Sequence, residues 1–408
     1  PHDRNIIAEV EKITSIDQIL TGANPGNITL LGEEFDEIYL NKVHTLSLSP
    51  ESVGKFHDMK IAYTPLHGAG VRLVPASLRK WGFTNVSLVE EQAVIDGNFP
   101  TVESPNPEER KTMAKAIELG SRLGADLVLA TDPDSDRIGV ALRNAKGEYV
   151  LLNGNQTLSL IMAYQLTRWS ELGRLDGKEF VVKTIVTSQM PNVMAAHFGV
   201  KCYDCLTGFK YIARIIRNNE GKATYIGGGE ESFGYLAGDF VRDKDAVSAC
   251  SLVAEAAAWT RDTMGLTLYE WLQKLYVEFG FFREGLVSVV RKGMEGAAEI
   301  QRMMVDYRAD PPREIAGSPV VKINDFKLLE STDVRTGAKT PIEEEASNVL
   351  QWFAADGTVV SVRPSGTEPK IKFYFGVRAE LESVADFDRV EAGLDAKIET
   401  IKKELKLV

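Results

Sequence analysis

The stretch ATDPDSDRIGV, residues 130–140, sets Asp132, Asp134 and Asp136 at alternate positions with Arg137 directly after. The preceding ADLVLA reads as a buried strand, so three like charges close a core element. Carboxylates at this spacing repel one another unless a cation neutralises them. Their oxygens are hard donors suited to Mg²⁺, Mn²⁺ or Ca²⁺. Mg²⁺ wants a fuller oxygen shell than three aspartates supply, and it usually keeps waters or a phosphate oxygen. The loop therefore calls for an anionic partner. It lacks the spacing of an EF-hand. A solvated turn is the plain alternative, since aspartate is common in turns; Arg137 and the apolar strand argue for a site.

Other polar stretches follow predicted strands, and in open α/β sheets ligands gather outside the carboxyl ends of the strands. YIGGGEESFGY (225–235) offers three glycines that let a backbone approach a ligand, then Glu230 as acceptor and Ser232 as donor for sugar hydroxyls. VRPSGTEPKIKFY (362–374) gathers Arg363, Ser365, Gly366, Thr367 and Lys370 on one hairpin loop. That inventory fits a phosphate dianion: bidentate arginine pairing, hydroxyls and a backbone nest. It is not a Walker loop, because the G-K-[ST] ending is absent. A Gly-rich turn and a charged hairpin tip are the bland readings of these two. LTGFK with Thr207 and Gly208, and VRDKDAV with Lys244, contact a substrate or simply start helices. His67 in YTPLHGAG is a candidate catalytic group, although a lone histidine is more often structural. Lys183 in VVKTIVTS is a charge inside an apolar strand, either snorkelling or contacting phosphate.

The elements that must position these loops follow from hydrophobic period. Residues 1–50 read mainly as helices, NIIAEVEKI and EFDEIYLNKV being clearest. From residue 60 strands alternate with helices: KIAY, the helix VRLVPASLRKWG, NVSLVE, the helix NPEERKTMAKAIELGSRLG with Pro107 near its start, ADLVLA and RIGVAL, with KGEY a turn. A second run of the same kind starts near residue 153, with EFVVKTIV, KCYDC and ATYIGG as strands and helices between them. The last part reads as an antiparallel sheet with hairpins, in which Ile371, Phe373, Phe375 and Val377 alternate onto one face, closed by the amphipathic helix FDRVEAGLDAKIETIKKELK. The expected fold is α/β: two consecutive mixed or parallel α/β domains, 1–152 and 153–280, then a smaller α+β domain, 281–408.

Composition bounds the partners. A chain of 408 residues exceeds one ordinary core, and its net charge of −11 disfavours nucleic acid and anionic membranes. No apolar run is long enough to span a bilayer. Three cysteines, including the pair Cys202 and Cys205, argue for a reducing, cytoplasmic setting, with the pair assigned to packing beside a loop. The chain opens on Pro1 rather than Met and shows no signal-peptide pattern, which points to a start other than the native one.

Taken in order, DPDSDR, GEES, RPSGTEPKIKFY, TPLHG, TGFK and RDKD resemble the motifs of the α-D-phosphohexomutase family, and within it the phosphoglucomutase branch. The resemblance covers essentially the whole chain. It implies a Mg²⁺ enzyme whose phosphoserine gives its phosphoryl group to a sugar phosphate, forming a bisphosphate that reorients and returns the other phosphate. The implied ligands are glucose 1-phosphate, glucose 6-phosphate and glucose 1,6-bisphosphate. The resemblance assigns Asp132, Asp134 and Asp136 to the metal, Arg137 and Lys244 to the reacting end, and Glu230, Ser232, Thr207 and Gly208 to sugar hydroxyls. Arg363, Ser365, Gly366 and Thr367 would clamp the distal phosphate. One departure stands out. No loop of the family's Ser-His-Asn-Pro kind occurs, so the resemblance implies a chain without the first of four domains, inactive alone. Mannose or pentose phosphates are close alternatives. A phosphatase with an aspartate nucleophile, or a non-catalytic sugar-phosphate binder, are the readings from other classes.

Overall fold

The computed structural model describes residues 2–407 except 20, 23, 24, 292 and 366–368, and for residues 3, 25 and 294 the backbone only. The chain divides into two compact units, residues 1–41 and 42–408. The first carries α1 (His2–Val10) and most of α2 (Glu33–His44). Glu33, Glu34 and Asp36 fill the first turn of α2 and Lys42 and His44 its last, matching charge to the helix dipole.

The second unit holds three sheets. After α3 (Pro50–Lys55), the first is built from β1 (Ile61–Thr64), α4 (Gly70–Trp81), β2 (Val86–Leu88), α5 (Ala114–Leu123), β3 (Leu127–Thr131), β4 (Ile138–Arg143) and β5 (Tyr149–Leu151). Its strand order is β2-β1-β3-β4-β5. β1 is parallel to both neighbours, whereas β3, β4 and β5 run antiparallel. The aspartate loop is therefore a connection between two antiparallel central strands.

The second sheet comes from α6 (Gly154–Glu171), β6 (Glu179–Thr184), α7 (Met190–His197), β7 (Lys201–Cys205), α8 (Phe209–Asn219), β8 (Thr224–Glu230) and β9 (Gly234–Ala237), in the order β7-β6-β8-β9 with only the last pair antiparallel. Next come α9 (Ala246–Met264) and α10 (Leu268–Phe279). Residues 246–260 of α9 are all buried. Its alanines and serines let it run between the two sheets, and Ser251 meets Ser77 of α4 hydroxyl to hydroxyl at 2.7 Å. Glu255 of α9, fully buried, accepts from the backbone of Leu48 and Ser49 at 2.9 and 3.0 Å, from Tyr164 at 2.8 Å and from Ser47 at 2.5 Å.

The third sheet is antiparallel, as the alternation of its strands demands. It contains β10 (Phe281–Val290), α11 (Gly293–Ala309), β11 (Glu314–Ile315), β12 (Ser318–Asp325), β13 (Glu330–Asp333), β14 (Lys339–Pro341), β15 (Leu350–Ala354), β16 (Val359–Pro364), β17 (Lys370–Ala379) and α12 (Phe387–Glu404). The order is β10-β17-β16-β15-β12-β13-β14, with β11 paired to β12. Ile371, Phe373, Phe375 and Val377 are all buried, as their alternation predicts, and α12 buries Phe387, Leu394, Ile398 and Ile401. Among the described residues, no helix is long and apolar enough to cross a membrane.

Four readings need correction. The helix expected across 106–124 begins only at Ala114. Before it, Asn106 accepts from Glu108 N (3.1 Å) and Thr112 donates to Ser104 O (2.8 Å), so turns consume the sequence that looked helical. The three glycines 227–229 are strand, not loop. A Cβ at Gly228 would overlap Val182 O on β6, and one at Gly229 would overlap Gly234 O on β9. The KGEY turn gives way to a third antiparallel strand at Tyr149. Cys202 and Cys205 lie in β7 itself as free thiols, and burial pushes the Cys202 thiol up to about 12.

Two measurements check this packing. Removing the Glu255 carboxylate leaves four donors without their acceptor, so Glu255→Ala lowers unfolding stability by about 3 kcal/mol or more in urea titrations. Burial raises the Glu284 carboxyl to about 7, opposed by the Ser188 hydroxyl and Arg283. A raised carboxyl favours the folded state at low pH and loses that contribution as pH climbs through about 7. Stability therefore falls from about pH 4.5 to about pH 7, and falls less in Glu284→Gln.

Candidate functional site

The loop between β3 and β4 brings the carboxylate oxygens of Asp132, Asp134 and Asp136 within 4.8 Å of one another. Asp132 is 8 % exposed, and its Oδ1 accepts from the backbone of Asp136 (3.0 Å) and Arg137 (2.9 Å). Burial pushes its carboxyl up to about 7; the Arg137 amide opposes this, and Asp136 and Asp134 add to it. Ser135 takes a left-handed backbone, φ 60°, and its buried Oγ and Asp136 Oδ1 have no hydrogen-bond partner. Crowded hard oxygens, one of them a buried carboxylate atom without a donor, fit a divalent cation with bound water.

The loop is braced from behind by TPLHGAG. Ala69 N donates to Pro133 O at 2.8 Å. A Cβ on Gly68 would overlap Pro133, and one on Gly70 would crowd Tyr63 and Thr131, so only glycine lets the two loops close. His67 is buried, with Nδ1 2.9 Å from Val94 O and Nε2 2.8 Å from Thr101 Oγ1. Both ring nitrogens are thus engaged in holding residues 94–101, a structural placement for the expected catalytic candidate.

The turn between β8 and β9 is joined to the aspartate loop through main chain. Ile138 N donates to Phe233 O at 3.0 Å, Arg137 pairs with Gly234, and Ala246 N donates to Ser135 O at 3.1 Å. Lys244 Nζ lies 3.0 Å from Asp136 Oδ2 and 2.9 Å from Asp243 Oδ1. Burial works against its charge, but Asp243 and Asp136 outweigh it and hold the ammonium pKa above the ordinary value. Arg137 reaches Glu108 at 3.6 Å and Asp132 and Asp136 at 3.7 Å.

Glu230 accepts from Gly208 N at 2.8 Å, and Gly208 has φ 120°, a conformation closed to other residues. This ties TGFK to GEES. Thr207 Oγ1 beside it is buried without a partner. Ser232 is half-buried on the turn. The next carboxylate, Glu231, turns to Thr184 (3.1 Å) and Thr187 (3.4 Å), and burial raises its pKa. Lys183 does not snorkel. It is fully buried, 2.7 Å from Asp204 Oδ1 and 3.4 Å from the carbonyls of Thr184 and Thr187.

In the third sheet, Arg363 faces Lys372 across β16 and β17, and Ser365 N donates to Lys370 O at 2.8 Å. Gly366 and Thr367 lie outside the described residues. Buried Tyr374 bonds Arg363 and feels the charges of Glu231 and Glu230, which places this strand beside the β8–β9 turn. Gln351 Nε2 reaches Ile185 O at 2.8 Å and ties the sheets together. Sequence reading missed Glu108, Lys372, Tyr374 and the role of Gly68. Only Lys372 carried a signal, as an outward charge between Ile371 and Phe373.

The chain matches family models for phosphoglucomutase/phosphomannomutase: alpha/beta/alpha domain II over residues 37–147, alpha/beta/alpha domain III over 153–279, and the C-terminal domain over 321–394. It is 34% identical over 393 residues to a phosphoglucomutase of Staphylococcus aureus strain MRSA252, covering 96% of this chain and 68% of that protein. Among solved structures it resembles the open form of the Paramecium phosphoprotein parafusin, a phosphoglucomutase, with TM-score 0.58, 15% identity and coverage of 91% and 62% of the two chains. A phosphoglucomutase/phosphomannomutase family protein of Burkholderia thailandensis gives TM-score 0.58, 17% identity and coverage of 90% and 64%. At those identities the likeness is one of fold, and the chain spans under two thirds of both structures' chains.

A methyl group at Gly68 would displace the aspartate loop. Gly68→Ala is expected to weaken Mg²⁺ binding by about tenfold, ~1.4 kcal/mol, in calorimetric titration, with its circular dichroism unchanged.

Proposed function

Since the chain belongs to the phosphoglucomutase/phosphomannomutase family, we propose that its protein is a Mg²⁺-dependent phosphoglucomutase, interconverting glucose 1-phosphate and glucose 6-phosphate. The observation that carries this reading is the main-chain and Lys244 linkage between the aspartate loop and the Glu230–Ser232 turn. It supports the reading by holding the three carboxylates close to Glu230 and Ser232. Asp132, Asp134 and Asp136 would hold the Mg²⁺, which when bound neutralises charge on the phosphoryl oxygens.

Arg137 and Lys244 sit at the reacting end. Arg137 balances phosphoryl charge, and Lys244, kept charged by Asp136 and Asp243, donates to or stores a proton for the sugar oxygen. Glu230 and Ser232, with Thr207 and Gly208, orient the ring through its hydroxyls; the unpartnered Thr207 hydroxyl suits that use. Arg363, Ser365 and Lys370, with Gly366 and Thr367, grip the phosphate that is not reacting. Phosphoryl transfer depends on positioning and charge neutralisation, and the distal grip supplies positioning. The phosphoryl group itself cycles through a serine and a glucose 1,6-bisphosphate. No Ser-His-Asn-Pro motif occurs among these 408 residues, and this reading assigns the phosphoserine to none of them. The S. aureus relative named for glucose supports glucose over mannose or pentose. The division at 152/153 and 280/281 and a cytoplasmic setting belong to the same reading.

In the full-length protein, Asp134→Ala is expected to abolish mutase activity in a coupled glucose 6-phosphate assay; normal turnover with Mg²⁺ would sink the metal assignment. Arg363→Ala is expected to act mainly on KM, by roughly 2–5 kcal/mol in binding. A phosphoenzyme trapped on Asp132 or Asp134 would favour a phosphatase instead.

A further inference from the structure

A cavity of about 290 Å³ opens where β3 begins and β4 ends, away from the aspartate loop. Met59, Leu142 and Leu266 supply apolar wall, and Arg143, Arg261 and Asp126 supply charge. Arg261 is neutralised, 3.1 Å from Asp126. Arg143 is not. Its hydrogen bonds go to the neutral oxygens of Ala125 (3.3 Å) and Tyr149 (3.1 Å), its guanidinium lies 5.4 Å from the Tyr149 ring centroid, and its Nε is buried with no hydrogen-bond partner. Among the described residues no ion pair involves it. A partly buried guanidinium normally has a carboxylate or a bound anion, because an uncompensated charge away from water is costly. The first turn of α10, closed by reciprocal bonds between Thr267 and Glu270, borders the same cavity.

We infer that this cavity binds a small organic anion, its carboxylate or phosphate on Arg143 and its apolar body against Met59, Leu142 and Leu266. The volume sits at the small end of ligand pockets, so the occupant is compact. β4 separates Arg143 from Arg137 by roughly 20 Å of extended chain, so the ligand does not share the sugar-phosphate site. The inference does not rest on the proposed mutase activity.

Calorimetric titration with benzoate and with phenyl phosphate tests it, using the protein with and without glucose 1-phosphate. Saturable binding of either probe supports the site and identifies its head group. Arg143→Gln is expected to weaken that binding at least tenfold. Because Arg143 also braces Tyr149, Leu266→Asp serves as a second variant; its added negative charge on a connecting loop is expected to abolish binding. The inference is overturned by absence of binding to either probe, by unchanged affinity in Leu266→Asp, or by displacement of the probe with glucose 1-phosphate.

Discussion

Repulsion among three carboxylates at the end of a buried strand is the constraint around which the centre of this molecule is arranged. Asp132, Asp134 and Asp136 lie within 4.8 Å of one another, and folding must hold them there. The backbone amides of Asp136 and Arg137, the ammonium of Lys244 and the guanidinium of Arg137 each offset part of the cost. These groups come from both sides of the junction between the first two sheets. The same set that makes the acidic loop tolerable thus fixes the loop against its neighbour.

Much of this was legible in the sequence. A continuous apolar run marked β3, alternation marked β17, and apolar spacing marked α6. The polar loops were visible because each followed an apolar strand. Tertiary contact decided what was not visible. Pro107 suggested a helix start, yet side-chain bonds at Asn106 and Thr112 won over helix propensity. Gly227–Gly229 suggested a flexible loop, but glycine there serves close passage of strands. α10, despite its Thr267–Glu270 capping box, and α11 went unread.

Lys183 and His67 show the limit for site residues. Both are chemically capable and both stand next to candidate loops. Their partners, Asp204, Val94 and Thr101, are at distances no local pattern encodes. Placed in the fold, they are ties between segments. Glu108 and Tyr374 are the reverse case: unremarkable in sequence, yet in contact with Arg137 and Arg363.

The bonds joining the aspartate loop to the β8–β9 turn and to the start of α9 run largely through main chain, from Ile138 to Phe233 and from Ala246 to Ser135. Main-chain geometry survives exchange of most side chains. Residues 230 and 232 can therefore vary, by natural drift or by engineering, without disturbing where the acidic loop sits. In the proposed mutase, a different hydroxyl pattern would become accessible by a few substitutions on an unchanged frame. The same frame makes Gly68 the position least open to such exploration, since a side chain there would run into the Pro133 backbone and force the two loops apart.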